Sequence, residues 1–318
     1  MEHAEPNATA IDGKSRNGTF VPEPSDKFVT TPAVEKVTDR SLAYLDARYP
    51  VHLTGVTGTG KTSLAFHIAS HLDQPAVLLH GDSEFERSDL VGGEVGYRKS
   101  QVVDNFISSV LKKSENVRKV WQDKRLATAC REGYTLIYDE FTRSRADTNN
   151  VLLSILEERI LSLPARGKRE KDYIRVHPNF RAIFTSNTRE YAGTHDTQSA
   201  LFDRLVTVEL DHPDRQTEIQ ITQTRSGVGE DAAAKIVDLV RGVRARNEDY
   251  HGPSVRAAIL LGRVFADRED EFDPNSAFFL DVCADVLRPS RAAGETSDEG
   301  SMEEYIQTVI DEVFKPVQ

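Results

Sequence analysis

The run Gly55-Val56-Thr57-Gly58-Thr59-Gly60-Lys61-Thr62-Ser63 has the residue types that hold a polyphosphate. Glycines let successive backbone N–H groups turn inward on an anion without Cβ clashes. A helix starting where such a loop ends adds the positive end of its dipole. Lys61 is then placed to reach the β- and γ-phosphates, and the Thr62 hydroxyl to ligate Mg²⁺. This chemistry needs a strand before the loop and a helix after it. Val51-His52-Leu53-Thr54 supplies a short apolar strand, and Leu64, Ile68 and Leu72 recur at helical spacing. An ordinary glycine turn ahead of a helix has no need of Lys-Thr at that point.

Asp139-Glu140 is the second chemical signal. It follows Thr135-Leu136-Ile137-Tyr138, an apolar strand, and in open parallel sheets ligands bind beyond the carboxyl ends of the strands. One carboxylate there can position Mg²⁺ through water, and the next can polarise a water for attack on the γ-phosphate. An isolated Asp-Glu pair is usually a solvated turn; lying downstream of a phosphate loop, it reads as functional. Asn187 ends a further strand, Arg181 to Ser186, which the usual alternation places beside the Asp139 strand. Its amide can hold the attacking water against Glu140, or it can cap the following turn; local sequence does not separate the two.

These groups must be positioned by a parallel sheet. Ala76 to His80 is another continuous apolar strand, as expected where both faces are covered, and Val206 to Leu210 is a fifth. Helical spacing occupies 38–45, 102–111, 117–130 and 149–161. Residues 163–177 read as a β-hairpin with a basic tip at 166–171. Beyond His212-Pro213 only helical patterns occur. The division expected is a disordered leader over 1–29, an α/β nucleotide-binding domain over 30–212 and a helical lid over 213–288. A linker over 289–300 and an amphipathic terminal helix over 301–318 complete it. The fold class is α/β, a doubly wound sheet of five parallel strands followed by a small all-helical domain.

With 318 residues and 38% hydrophobic content, the chain can bury a large core and a smaller second one. No apolar run reaches the length of a membrane span, and none resembles a signal peptide. The expected location is the cytoplasm. Cys130 and Cys283 stand far apart, which argues against a disulfide scaffold or a zinc site. A net charge of −11 disfavours nucleic acid as a partner.

Phosphate loop, strand-terminal Asp-Glu, strand-terminal Asn and a helical second domain together resemble the AAA+ ATPases, over roughly residues 30–287. The hairpin, Asp203-Arg204-Leu205 and Pro253-Ser254-Val255-Arg256 narrow the resemblance to the MoxR-like branch. It implies that Asn187 is the sensor 1 residue, Arg204 the arginine finger and Arg256 the sensor 2 arginine. It also implies ATP and Mg²⁺ as cofactors and a homo-oligomeric ring, a hexamer by the family pattern. Longer stretches are similar to the gas vesicle GvpN family: His80-Gly81-Asp82, residues 88–94, Val103-Asp104-Asn105-Phe106, residues 136–144, residues 149–154 and Tyr191-Ala192-Gly193. That resemblance implies an ATP hydrolase acting as a chaperone or remodelling motor in gas vesicle assembly, with shell and accessory proteins as partners. Two other functions fit the same residues: a MoxR-type chaperone inserting metal or cofactor into another protein, and a nucleotide-gated binding module with little turnover.

Overall fold

The computed structural model describes residues 18–102, 114–163, 173–187, 196–246, 252–268, 271–288 and 299–315. In chain order, β1 (Thr19–Phe20) and α1 (Pro32–Asp46) precede β2 (Val51–Gly55), the phosphate loop and α2 (Lys61–Ser70). Then come β3 (Ala76–His80), the short helix α3 (Arg87–Val91), β4 (Gly92–Val102), β5 (Ser114–Asp123), α4 (Arg125–Glu132) and β6 (Thr135–Asp139). Helices α5 (Ala146–Asn149) and α6 (Val151–Leu156) lead to β7 (Ile160–Ser162), β8 (Tyr173–Arg175), β9 (Arg181–Asn187), α7 (Asp196–Phe202) and β10 (Val206–Leu210). The remainder of the described chain is helical: α8 (Arg215–Ser226), α9 (Glu230–Arg246), α10 (Val255–Phe265), α11 (Ala277–Leu287) and α12 (Glu299–Val313).

The main sheet runs β1-β3-β6-β9-β2-β10, with its five longer strands parallel. Period-two alternation sorts its side chains between two layers. Leu136, Tyr138, Ala182 and Phe184 face the cluster built on Leu126, Val151, Leu152 and Leu201, on the α4, α6 and α7 side. Ile137, Ile183, Val51 and Leu53 face the cluster holding Leu45, Leu64 and Ile68, on the α1 and α2 side. Helices on both faces make the sheet doubly wound, as expected. A third cluster joins Ile219, Ile236, Val240, Leu261, Phe265 and Phe279 across helices α8 to α11.

Several elements differ from expectation. Part of the stretch expected to be a disordered leader is in the sheet: β1 pairs antiparallel with β3, Thr19 opposite Val77 and Phe20 opposite Ala76. Residues 114–123, which overlap the expected helix 117–130 over 117–123, instead form an antiparallel pair with β4, and Val117 lies opposite Lys99. The apolar spacing over so short a span suits either period, and the ladder decides it. Helix survives only from Arg125, where Leu126, Ala127, Ala129 and Cys130 are buried. Of the expected helix 102–111, Val102 belongs to β4 and the rest lies outside the described residues.

The helix expected over 149–161 stops at Leu156. Arg159 turns in the left-handed region at φ 57°, and Ile160–Ser162 joins a hairpin with Tyr173–Arg175. The basic tip of that hairpin lies outside the described residues. The terminal helix α12 packs on the lid helices: Ile306, Val309 and Ile310 join the third cluster, and the Tyr305 hydroxyl donates to the Gly242 carbonyl at 2.8 Å.

Candidate active site

Strand register brings the chemical residues to one edge. Gly55 lies opposite Asn187 in the β2–β9 ladder, and His80 opposite Asp139 in the β3–β6 ladder. The phosphate loop, Asp139, Glu140 and Asn187 therefore share the carboxyl edge of the parallel sheet. Gly60 caps α2 with φ 87°, a left-handed conformation that glycine adopts without Cβ strain. Gly58 is also left-handed, at φ 85°, and a Cβ there would lie 2.3 Å from Ser254 Oγ at the start of α10. Loop and lid thus meet where only a glycine fits.

Lys61 is buried, and its ammonium donates to the Gly55 and Val56 carbonyls at 2.9 and 2.8 Å. The Thr59 hydroxyl donates to the Val56 carbonyl at 3.1 Å, which closes the loop on itself. Below it, Asp139 is 7% exposed and its Oδ1 accepts from the hydroxyls of Thr62, at 2.7 Å, and Thr185, at 2.6 Å. Its Oδ2 lies 3.5 Å from His80 Nδ1. Glu140 takes a left-handed backbone, φ 50° and ψ 41°, and its N–H donates to Thr185 Oγ1 at 2.9 Å. The Glu140 carboxylate is 2.7 Å from Arg143 Nη1.

A cavity of about 480 Å³ lies over this edge. Thr57, Gly58, Thr59, Gly60, Lys61, Thr62 and Ser63 line it from the loop, facing Glu140, Asn187 and Arg256. Its far end is apolar, walled by Phe28, Val34, Val37, Ile221 and Ile259, and suits the flat, poorly hydrated face of a nucleobase. His212 lies in the connection to α8 and lines the same cavity. Burial chiefly, helped by Arg244, Arg241 and Lys61, lowers its pKa from 6.5 to about 4, so its imidazole is neutral at pH 7.

Arg204 is the predicted site residue that this arrangement leaves outside. Its guanidinium pairs with Glu157, Nε lying 2.9 Å from Oε2, and it also donates to the Ala200 carbonyl. It is not among the residues lining the cavity. Sequence reasoning missed Thr185, although it stands two residues before Asn187 on the same face of β9. It missed Arg143, although that residue lies in the family-matching stretch 136–144, and His212, which carries no local motif. It also missed the apolar far end, because Phe28 lay in the presumed leader.

A phosphate loop at a strand–helix junction, beside strand-terminal carboxylates and under a helical lid, defines a nucleotide-binding ATPase domain. Residues 50–205 match the family described as AAA domain, dynein-related subfamily. The chain is 44% identical over 317 residues to the gas vesicle ATPase GvpN of Ancylobacter aquaticus, spanning 98% of this chain and 88% of that one. It is 40% identical to the gas vesicle ATPase GvpN of Haloferax mediterranei, over 93% and 85% of the two chains. It is 28% identical to the protein CbbQ of Hydrogenophilus thermoluteolus, over 69% and 74%. Among solved structures, the Thermotoga maritima RuvB Holliday junction branch migration motor is similar at a TM-score of 0.48 and 20% identity. That match covers 78% of this chain and 65% of that one. The chain belongs to the GvpN family of gas vesicle ATPases, in the MoxR-like branch of the AAA+ proteins. It is an ATP hydrolase, and its cofactor is a nucleotide. Among the described residues, no helix is long and apolar enough to cross a membrane.

Proposed function

We propose that the cavity over the phosphate loop binds and hydrolyses ATP with Mg²⁺, and that turnover drives remodelling of protein during gas vesicle assembly. The observation that carries the hydrolytic reading is the bond between Thr62 and Asp139, which couples the loop to the strand bearing Glu140. Thr62 Oγ1 and Asp139 Oδ1 are hard oxygen donors on one side of the phosphate loop, the donor set that suits Mg²⁺. Bound there, the ion would neutralise charge on the β- and γ-phosphates. Gly55 to Ser63 cradle the phosphates with backbone N–H groups, and Lys61 leaves its loop carbonyls for the phosphate oxygens. Glu140 takes the proton of the attacking water, Asn187 orients that water, and Arg256 meets the phosphates from the lid.

Arg204 acts on a neighbouring subunit's nucleotide, which requires a head-to-tail ring of copies, a hexamer by family pattern. Its pair with Glu157 is partly exposed, and such pairs are worth ~0.2–1 kcal/mol, little enough to be exchanged for a phosphate. Residues 30–212 form the ATPase domain and 213–288 the lid, with α12 packed on the lid core. The protein works in the cytoplasm at the growing vesicle, and its partners are shell and accessory proteins.

The experiment is ATP hydrolysis by the purified chain, together with capture of partners by a Glu140→Gln variant held with ATP. Phosphate release and ATP-dependent retention of gas vesicle proteins are expected. Hydrolysis with retention of an unrelated metalloenzyme would replace the vesicle reading with cofactor insertion. ATP binding without phosphate release would leave a nucleotide-gated binding module.

A further inference from the structure

Glu218 lies on α8 with a side chain only 1% exposed. Its Oε1 accepts from Arg244 Nη1 at 2.8 Å and its Oε2 from Arg241 Nη1 at 3.1 Å. Each arginine then reaches a backbone carbonyl outside the lid helices. Arg241 Nη1 donates to Pro213 at 3.2 Å, in the connection from β10 to α8. Arg244 Nε donates to Pro253 at 2.8 Å, just before α10. Pro213 lines the ATP cavity. Pro253 precedes Ser254, whose hydroxyl accepts from the Arg256 N–H at 3.3 Å and whose side chain lies against Gly58 of the phosphate loop. On the same helix, the Thr217 hydroxyl is 3.0 Å from that of Thr31, which caps α1 at the base end of the cavity.

One buried carboxylate therefore ties together two chain segments that frame the nucleotide. We propose that Glu218 is a positioning residue for the ATP site: through Arg244 it holds Ser254 and Arg256 over the phosphate loop, and through Arg241 it holds Pro213 beside the cavity. An ion pair serving stability alone would meet every donor within the lid core, because unsatisfied buried donors are costly. This network does otherwise. Among the described residues, two buried side-chain polar atoms have no hydrogen-bond partner: Arg244 Nη2, in this network, and His212 Nδ1, within electrostatic reach of Arg241 and Arg244. The network's donors go to the β10–α8 connection and to the residue before Ser254 at the start of α10, both beside the nucleotide cavity.

The proposal rests on the reading that Arg256 meets the phosphates, so the test separates the two. Binding of ATPγS and of ADP, each with Mg²⁺, is measured by titration calorimetry for the full chain and four variants. These are Arg256→Ala, Glu218→Gln, Arg244→Lys and the double variant Glu218→Gln/Arg256→Ala. Arg244→Lys keeps a positive charge for Glu218 but cannot span Glu218 and Pro253 together, so it carries the test should Glu218→Gln unfold. Arg256→Ala is expected to weaken ATPγS about tenfold and ADP about twofold or less, as loss of one charge-assisted phosphate contact would. Glu218→Gln and Arg244→Lys are expected to reproduce that selective loss, and the double variant to lose no more than either single one. Equal weakening of both nucleotides in Glu218→Gln and Arg244→Lys, or losses that multiply in the double variant, would overturn the positioning role. An Arg256→Ala variant with unchanged ATPγS affinity would overturn the reading beneath it.

Discussion

The Thr62 hydroxyl donates to Asp139 Oδ1 at 2.7 Å, although the two residues are 77 positions apart in the chain. A residue of the phosphate loop and the last residue of β6 thus form one oxygen-donor site. Thr185 shares the same carboxylate oxygen and holds it in place from β9. Thr62→Ala and Asp139→Asn are each expected to raise the Mg²⁺ concentration needed for half-maximal hydrolysis. A Mg²⁺ titration of the rate checks this, and an unchanged midpoint in both variants would place the ion elsewhere.

Glu140→Gln preserves shape but not basicity. It is expected to keep ATP binding and to lose turnover by roughly 10²-fold or more, the scale of a missing general base. Single-turnover kinetics with radiolabelled ATP separate binding from chemistry. Wild-type turnover in that variant would mean that another group takes the proton.

Arg204 pairs with Glu157 and does not line the cavity. Arg204→Ala should therefore bind ATP normally and fail to turn it over. Lys61→Ala should fail already at binding. Mixing the two inactive variants is expected to restore part of the activity, because some subunit interfaces then combine an intact loop with an intact arginine. A mixture that stays inactive at every ratio, with subunit exchange confirmed by labelling, would assign Arg204 to its own subunit or to structure alone.

His52 is fully buried on β2, with its ring nitrogens 3.1 Å from Thr207 Oγ1 and 2.8 Å from Ser186 Oγ. Burial lowers its pKa from 6.5 to about 4. The unfolded chain thus binds a proton that the folded chain refuses, so stability falls as pH drops below 6.5 and levels off below about 4. Between pH 7 and pH 5 this group should remove about 2 kcal/mol of unfolding free energy. Urea unfolding of the wild type and of His52→Asn at both pH values measures it; an equal loss in the two proteins would mean that His52 is not the group responsible.

The sequence between β7 and β8 contains Lys168, Arg169 and Lys171, expected from the sequence to be a basic tip. Neutralising all three is expected to leave basal hydrolysis nearly intact and to abolish its stimulation by a client. Hydrolysis with and without gas vesicle proteins distinguishes this from a structural role, in which basal hydrolysis of the folded variant would fall.

Local chemistry made half of the site legible in the sequence. A phosphate loop works through backbone N–H groups at a strand–helix junction, so Gly55 to Ser63 carry their own structural context. Asp139 and Glu140 end a strand apolar enough to be buried on both faces, and burial in a parallel sheet dictates that their edge is the ligand edge. What no local pattern contains is pairing between distant segments. The strand formed by 114–123 exists because β4 lies beside it, and Thr19–Phe20 is a strand because β3 leaves an open edge. Thr185, His212 and Glu218 acquire their places only when β9, the β10–α8 connection and the lid are brought to the loop. The side-chain hydrogen bonds of Thr185 to Asp139 and of Glu218 to Arg241 and Arg244 join residues from 23 to 46 positions apart, and His212 Nδ1 has no hydrogen-bond partner. The sequence determined the chemistry available to this protein, because residue types and short spacings set backbone geometry and charge. Tertiary structure decided which of those groups face one another, because burying both faces of the sheet selects the strand order and the register.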